Sequence, residues 1–472
     1  MLSFLRHIET PPWLERLPRP LIIGGVVSGL AVYSLAIGAM FGTNRQLIGL
    51  ALLALPLGLI GLTLLLYRFE WFVLILPLTG LAMRPISVPA GNGSELPISM
   101  LLTLALSGIW ILAMITRRTW LLAPSPLNKP LLAFMFICIF SVLWGILWAD
   151  PILNWRIMGN FRFAQIASLL SFLGLLSIPL LVGRFIQHEW QIKAYLGMFI
   201  VCGGLMTIFL IFGINEYLLV AQGLWGLWFA LSLAGIIYLQ PNVHWGWRLA
   251  GSAFLMWHLW LAAVRNSLWI SGWLPTIVGL LAMAFFASRR IFFILVAIVI
   301  LNVAIGPGQV YIDQVINDNI EEGGLGRLEI WERNLSIVKQ HWLFGTGVAG
   351  YAPYNMTYYR EDARSTHNNY FDILAQFGVV GFSIWIWFAI ASLWYGWRTI
   401  QLAPPGILRT TAIVATSGWA AAQFSMMLGD WVLPFLYNQT VGGFKYTMHS
   451  WVFVGLLISI RQKIDKLSLE QS

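Results

Sequence analysis

Runs of about twenty apolar residues, separated by short polar segments, recur along almost the whole chain, which is the length a helix needs to cross a hydrocarbon core of about 30 Å. They lie at 21–41, 47–67, 70–83, 98–116, 130–148, 163–183, 194–213, 218–239, 249–264, 268–287, 291–305, 370–396, 411–436 and 446–460. The runs are continuous and do not alternate apolar with polar positions. They therefore predict helices, which close their backbone hydrogen bonds internally, and exclude a transmembrane barrel. The pattern predicts an all-α polytopic transmembrane bundle of about 12–14 spans. One interval breaks the rhythm. Residues 306–369 form a long polar loop between an N-terminal membrane region, 1–305, and a C-terminal membrane region with a short tail, 370–472.

The loop has its own pattern. Its first part, 306–325, carries Asp313, Asp318, Glu321 and Glu322 among Gly and Asn, in a spacing that fits no calcium loop and reads as a solvated connector. Leu328, Trp331, Leu335, Val338 and Trp342 then follow at helical spacing, with Glu329 and Arg333 as an i,i+4 pair on the polar side. This predicts an amphipathic helix along the outer membrane surface with its tryptophans inward. The glycines of FGTGVAGY stop that helix. Next come Tyr351, Tyr354, Tyr358, Tyr359, Arg360 and Arg364, tyrosines suited to interfacial anchoring or to stacking on sugar rings. In the following Ser365-Thr366-His367-Asn368-Asn369, Thr366 is the predicted N-cap of the next span. That would put His367 in the first turn, where an anion is favoured and the imidazole stays neutral and able to accept a proton.

Composition narrows the class. With 59% hydrophobic and 10% charged residues over 472 positions, a soluble globular protein is excluded. The 25 tryptophans suit a chain with many membrane–water boundaries. A net charge of +9 raises nucleic acid as a partner, but the placement of the basic residues argues against it. With the N-terminus inside, 17 of the 28 Lys and Arg fall in inner segments, and five of the others sit in the long loop, which is exempt from the rule. Both termini are therefore expected in the cytoplasm and 306–369 outside. Cys138 and Cys202 lie far apart in apolar runs, so neither a disulfide nor a metal site is expected. The first twenty residues lack an apolar core, so the first span is expected to act as the insertion signal. Met83–Ser99, rich in Pro and Gly, reads as an irregular outer loop, and Arg265 stands at an outer boundary between two apolar runs, as an interfacial anchor or a functional charge.

The run GRLEIWERNLSIVKQHWLFGTGVAGY followed by STHNNYFDILAQFGVVGF resembles the defining domain of the O-antigen ligase and polymerase superfamily. The signature histidine of that family falls on His367, with Asn368 beside it, and its leading arginine on Arg327. An arginine that opens a span in the family is matched by Arg265 in VRNSLW. Leu343 stands where the family has a proline, and INEYLLVAQGLWGLWF, where ligases carry a further loop arginine, has none. The resemblance implies transfer of a glycan from a polyprenyl-pyrophosphate carrier to an acceptor hydroxyl, on a glycan or a lipid-anchored acceptor, at the outer face of the bacterial inner membrane. His367 would act as base and Arg265 at the reacting centre, while Arg327, Arg360, Arg364, Asn368 and Tyr359 would bind substrate; no metal or other cofactor is implied. The chain itself has no D-x-D pair, P-loop or His/Cys cluster. Polymerisation of lipid-linked repeats, transport of a small anion such as bicarbonate, and an inactive scaffold are the competing readings.

Overall fold

The computed structural model describes residues 67–81, 87–91, 94–151, 153, 155–212, 224–265, 270–305, 324–359 and 365–471, with a few single residues between them. The chain divides into two compact units, Met1–Val73 and Leu74–Ser472. In the first unit only 63, 65 and 67–73 are described. The expected span 21–41 and most of 47–67 lie outside the described residues.

The elements, in order, are α1 (Phe69–Leu81), β1 (Ser87–Gly91), β2 (Ser94–Pro97), α2 (Ile98–Arg117), α3 (Asn128–Leu147), α4 (Trp155–Phe185), α5 (Glu189–Phe212) and α6 (Trp225–Leu239). They continue with α7 (Trp245–Trp260, extended by a π turn, Leu261–Arg265), α8 (Ile270–Ala287), α9 (Arg289–Ile305), α10 (Gly324–Gln340) and α11 (Ala352–Tyr358). The last are α12 (Asn369–Leu402), α13 (Ile407–Ser425), the single turn α14 (Leu436–Gln439) and α15 (Gly443–Gln471). Among the described residues, α2, α3, α4, α5, α8 and α12 are long and apolar enough to cross a membrane.

Two expectations are corrected here. Met83–Ser99 is not wholly irregular, because β1 and β2 pair as an antiparallel hairpin. The signal overlooked was Asn92-Gly93, the dipeptide most typical of a hairpin loop. The run 411–436 is not one helix: α13 ends at Ser425, and the following residues run back through the protein interior in extended and turn conformations. Their backbone groups are satisfied there by side chains. The Asn369 carboxamide accepts from the N–H of Val432 and Leu433 (3.2 and 3.1 Å) and donates to the Leu433 carbonyl, while the Trp451 indole donates to the Val432 carbonyl. Non-helical chain of this kind is tolerated within a membrane protein because it is enclosed by protein.

α13, α6 and the first part of α15, 443–460, are heavily buried. Small residues bring them close to their neighbours. A Cβ on Gly455 of α15 would stand 2.6 Å from Val182 of α4, and one on Gly418 of α13 would enter the Trp228 ring of α6 at 2.1 Å. Two hydroxyls of α13 are satisfied within their own helix, Thr411 to the Ile407 carbonyl and Thr416 to the Ala412 carbonyl.

The feature that sets up the site is a break in α12. Gly378 has φ +64°, a left-handed conformation inside the helix, so the groups on either side lose their helical partners. The 341–350 loop replaces them. Thr346 and Gly347 donate to the carbonyls of Ala375 and Gln376 (both 2.9 Å), and Val379 and Val380 donate to those of Trp342 and Leu343 (2.8 and 3.3 Å). The opposing glycine, Gly345, also has positive φ, and its absent Cβ would overlap the Gln376 backbone. The loop thus clips onto the broken helix from outside, and on its other side Thr346 lies against Gly145 of α3.

Candidate functional site

Helix α10 forms over the stretch whose spacing predicts it, and Glu329 pairs with Arg333 as expected. The face it buries is displaced from the expected stripe. Ile330, Asn334, Ile337 and Val338 are buried, whereas Leu328 and Trp342 are 58% and 57% exposed. The protein core competes with lipid for the helix and takes the face that meets Tyr351, Tyr354, Ala375 and Phe435. Trp331 alone of the two tryptophans turns inward. Its ring stacks on Phe371 (centroids 5.0 Å apart), and its indole N–H donates to the Thr366 carbonyl at 2.9 Å.

That bond fixes one side of the turn before α12. The N-cap is Asn368, whose side chain accepts from the Tyr370 N–H, and not Thr366 as its residue type suggested. His367 accordingly lies outside the helix, ahead of the cap, with φ +49°. The reading that placed it in the first turn is corrected. Thr366, fully buried, instead serves as a clamp: its hydroxyl donates to Asp372 Oδ1 (2.6 Å) or the Asn368 carbonyl (2.9 Å) and accepts from the Asn368 N–H. Asp372 Oδ1 accepts a second hydrogen bond from the Tyr351 hydroxyl. Burial, and after it the Asp372 and Asp430 carboxyls, hold the Tyr351 phenol well above its usual range, so it stays a donor. Tyr351 is locked in turn by stacking on Phe435 at 4.6 Å. Three chain segments thereby converge on the backbone that carries His367. Thr366→Val removes one of two donors to a buried carboxylate oxygen and is expected to cost about 1–3 kcal/mol. The melting temperature of the purified protein measures this, and an unchanged value would contradict the clamp.

His367 lines a pocket of about 450 Å³. Arg327 of α10 and Ser271 of α8 also line it, so the histidine and arginine of the sequence signature meet at one site. The remaining lining comes from a stretch that carried no expectation: Leu428, Gly429, Asp430, Trp431, Gln439, Thr440 and Tyr446. Asp430 is buried beside Asp372, with 1% of its surface exposed. Among the described residues no three His, Cys, Asp or Glu side chains gather as metal ligands.

The other expected site residues are placed as follows. Arg265 ends the π turn after α7, and its side chain, like Arg360 and Arg364 altogether, lies outside the described residues. The Asn368 side chain caps α12, and Asn368 is not among the residues that line this pocket. Tyr359 carries the Arg333 guanidinium over its ring at 4.5 Å. Tyr351 and Tyr354 are buried in the core beneath the loop and offer no face to a sugar. His341 packs on the Tyr354 ring at 5.1 Å, and burial lowers its proton affinity against the pull of Asp150.

The segment holding the signature is also the one that matches a known family. Residues 252–386 match the O-antigen ligase family. The O-antigen ligase match runs from α7 past the Gly378 break and contains Arg265, Arg327, Arg360, Arg364 and His367. It supports a membrane protein of the O-antigen ligase and polymerase type, acting in surface polysaccharide synthesis on lipid-linked glycans. Among curated proteins, none matches the chain.

Proposed function

We propose that the protein transfers a glycan from a polyprenyl-pyrophosphate carrier to an acceptor hydroxyl, without a metal ion, at the outer face of the bacterial inner membrane. The observation that carries this reading is the meeting of His367 and Arg327, both within the O-antigen ligase segment, in one polar pocket. His367 takes the proton of the acceptor hydroxyl as its oxygen attacks the anomeric carbon. The bond from that carbon to the pyrophosphate oxygen breaks, and its electron pair leaves with the pyrophosphate. Guanidinium groups stabilise that charge with bidentate hydrogen bonds, Arg327 from within the pocket and Arg265, Arg360 and Arg364 from the same matched segment. The distribution of Lys and Arg supports cytoplasmic termini and an extracytoplasmic 306–369, which puts the pocket on the side where the glycan is displayed.

The size distribution of surface polysaccharide, in cells with and without the gene, tests the proposal. Long chains held on the carrier in the deletion strain mean a ligase, and single repeats mean a polymerase. An unchanged profile would overturn the transferase reading.

A further inference from the structure

Most of the pocket lining lies outside the residues that match the family, in the stretch from Leu428 to Tyr446. We infer that this stretch is the sugar-binding side of the pocket, with the Trp431 and Tyr446 rings facing the carbon–hydrogen face of a sugar and Gln439 and Thr440 meeting its hydroxyls. The inference rests on the transferase reading above.

The chemistry of the lining divides the pocket. The cation among the described lining residues, Arg327, belongs to α10, while the 428–446 stretch contributes an aromatic ring at each end, an amide, a hydroxyl and the Asp430 carboxyl. A sugar ring needs what these lining residues supply: an aromatic face for its apolar side and groups that both donate and accept for its hydroxyls. Gln439 Oε1 is buried without a hydrogen-bond partner among the described residues, an acceptor that a sugar hydroxyl would satisfy. Trp431 is held in place by Gly429, since a Cβ there would stand 2.7 Å from the indole nitrogen. Thr440, a β-branched residue, is kept at φ +55°, a conformation such residues rarely adopt and that tends to occur where a ligand site over-determines the chain.

The test uses the full-length protein in nanodiscs and two probes: undecaprenyl pyrophosphate alone, and the oligosaccharide released by mild acid from lipid-linked glycan of the deletion strain. Gln439→Ala and Trp431→Leu are expected to weaken oligosaccharide binding about tenfold each, the loss of roughly one good contact, with affinity for undecaprenyl pyrophosphate within about twofold of wild type. Gly429→Ala, which displaces the indole without deleting it, is expected to act like Trp431→Leu. Unchanged oligosaccharide binding in all three variants would overturn the inference, as would an equal loss for both probes, which marks general collapse of the pocket. A wild-type protein that binds undecaprenyl pyrophosphate but no oligosaccharide also overturns it while leaving the carrier side standing. Failure of the wild type to bind either probe would remove the transferase reading and this inference with it.

Discussion

His367→Ala is expected to lower the proposed glycan transfer by about 10²–10⁴-fold, the range typical for loss of a general base, while the protein still folds and inserts. His367 is half-buried at the pocket. Its backbone, however, is left-handed, at φ +49°. Asparagine tolerates that conformation better than other residues with a side chain, so His367→Asn separates chemistry from backbone strain. Both variants are expected to melt near the wild type and to lose transfer alike. Transfer retained in His367→Asn would assign the histidine to the turn and not to the reaction.

Gly378→Ala is expected to be the most destabilising single change in the matched segment. At φ +64° and ψ −168°, a region open essentially to glycine alone, a residue with a Cβ pays about 1–3 kcal/mol, and the new Cβ would stand 2.4 Å from the Leu343 backbone. Relieving that overlap parts the loop from the helix and weakens the four backbone hydrogen bonds that bridge them, each worth about 1 kcal/mol net. A loss on the order of 3 kcal/mol or more follows, seen as a marked fall in melting temperature and in the yield of folded protein. Gly108→Ala in α2, where nothing lies within 4 Å of the added methyl group, is the control and should be neutral or mildly stabilising. Equal melting of the two variants would contradict the clip between loop and broken helix.

The apolar helices and the helix at α10 can be read along the chain, because hydrophobic period and the Glu329–Arg333 spacing are local signals, and the signature holds both His367 and Arg327, which line one pocket. What stays hidden depends on contacts between distant segments. The choice of Asn368 over Thr366 as cap follows from Asp372 engaging the Thr366 hydroxyl, with Tyr351 bonded to the same carboxyl oxygen, which no cap preference encodes. The stretch after Ser425 reads as membrane because MMLGDWVLP is mostly apolar, yet its apolarity matches a protein interior, where Asn369 and Trp451 satisfy its backbone. The buried face of α10 is likewise set by which core it meets, not by where its largest apolar residues fall. The pocket residues from 428 to 446 were missed for the same reason. The one local hint was Asp430, an acid in an apolar run, and such a residue is a site candidate by default.

The most direct test of the central claim is release of undecaprenyl pyrophosphate by the purified protein in nanodiscs, supplied with lipid-linked glycan from the deletion strain and an acceptor, with a chelator present. The account predicts acceptor-dependent release by the wild type that His367→Asn abolishes. Release that is equal in the two proteins, or absent from the wild type under these conditions, would contradict it.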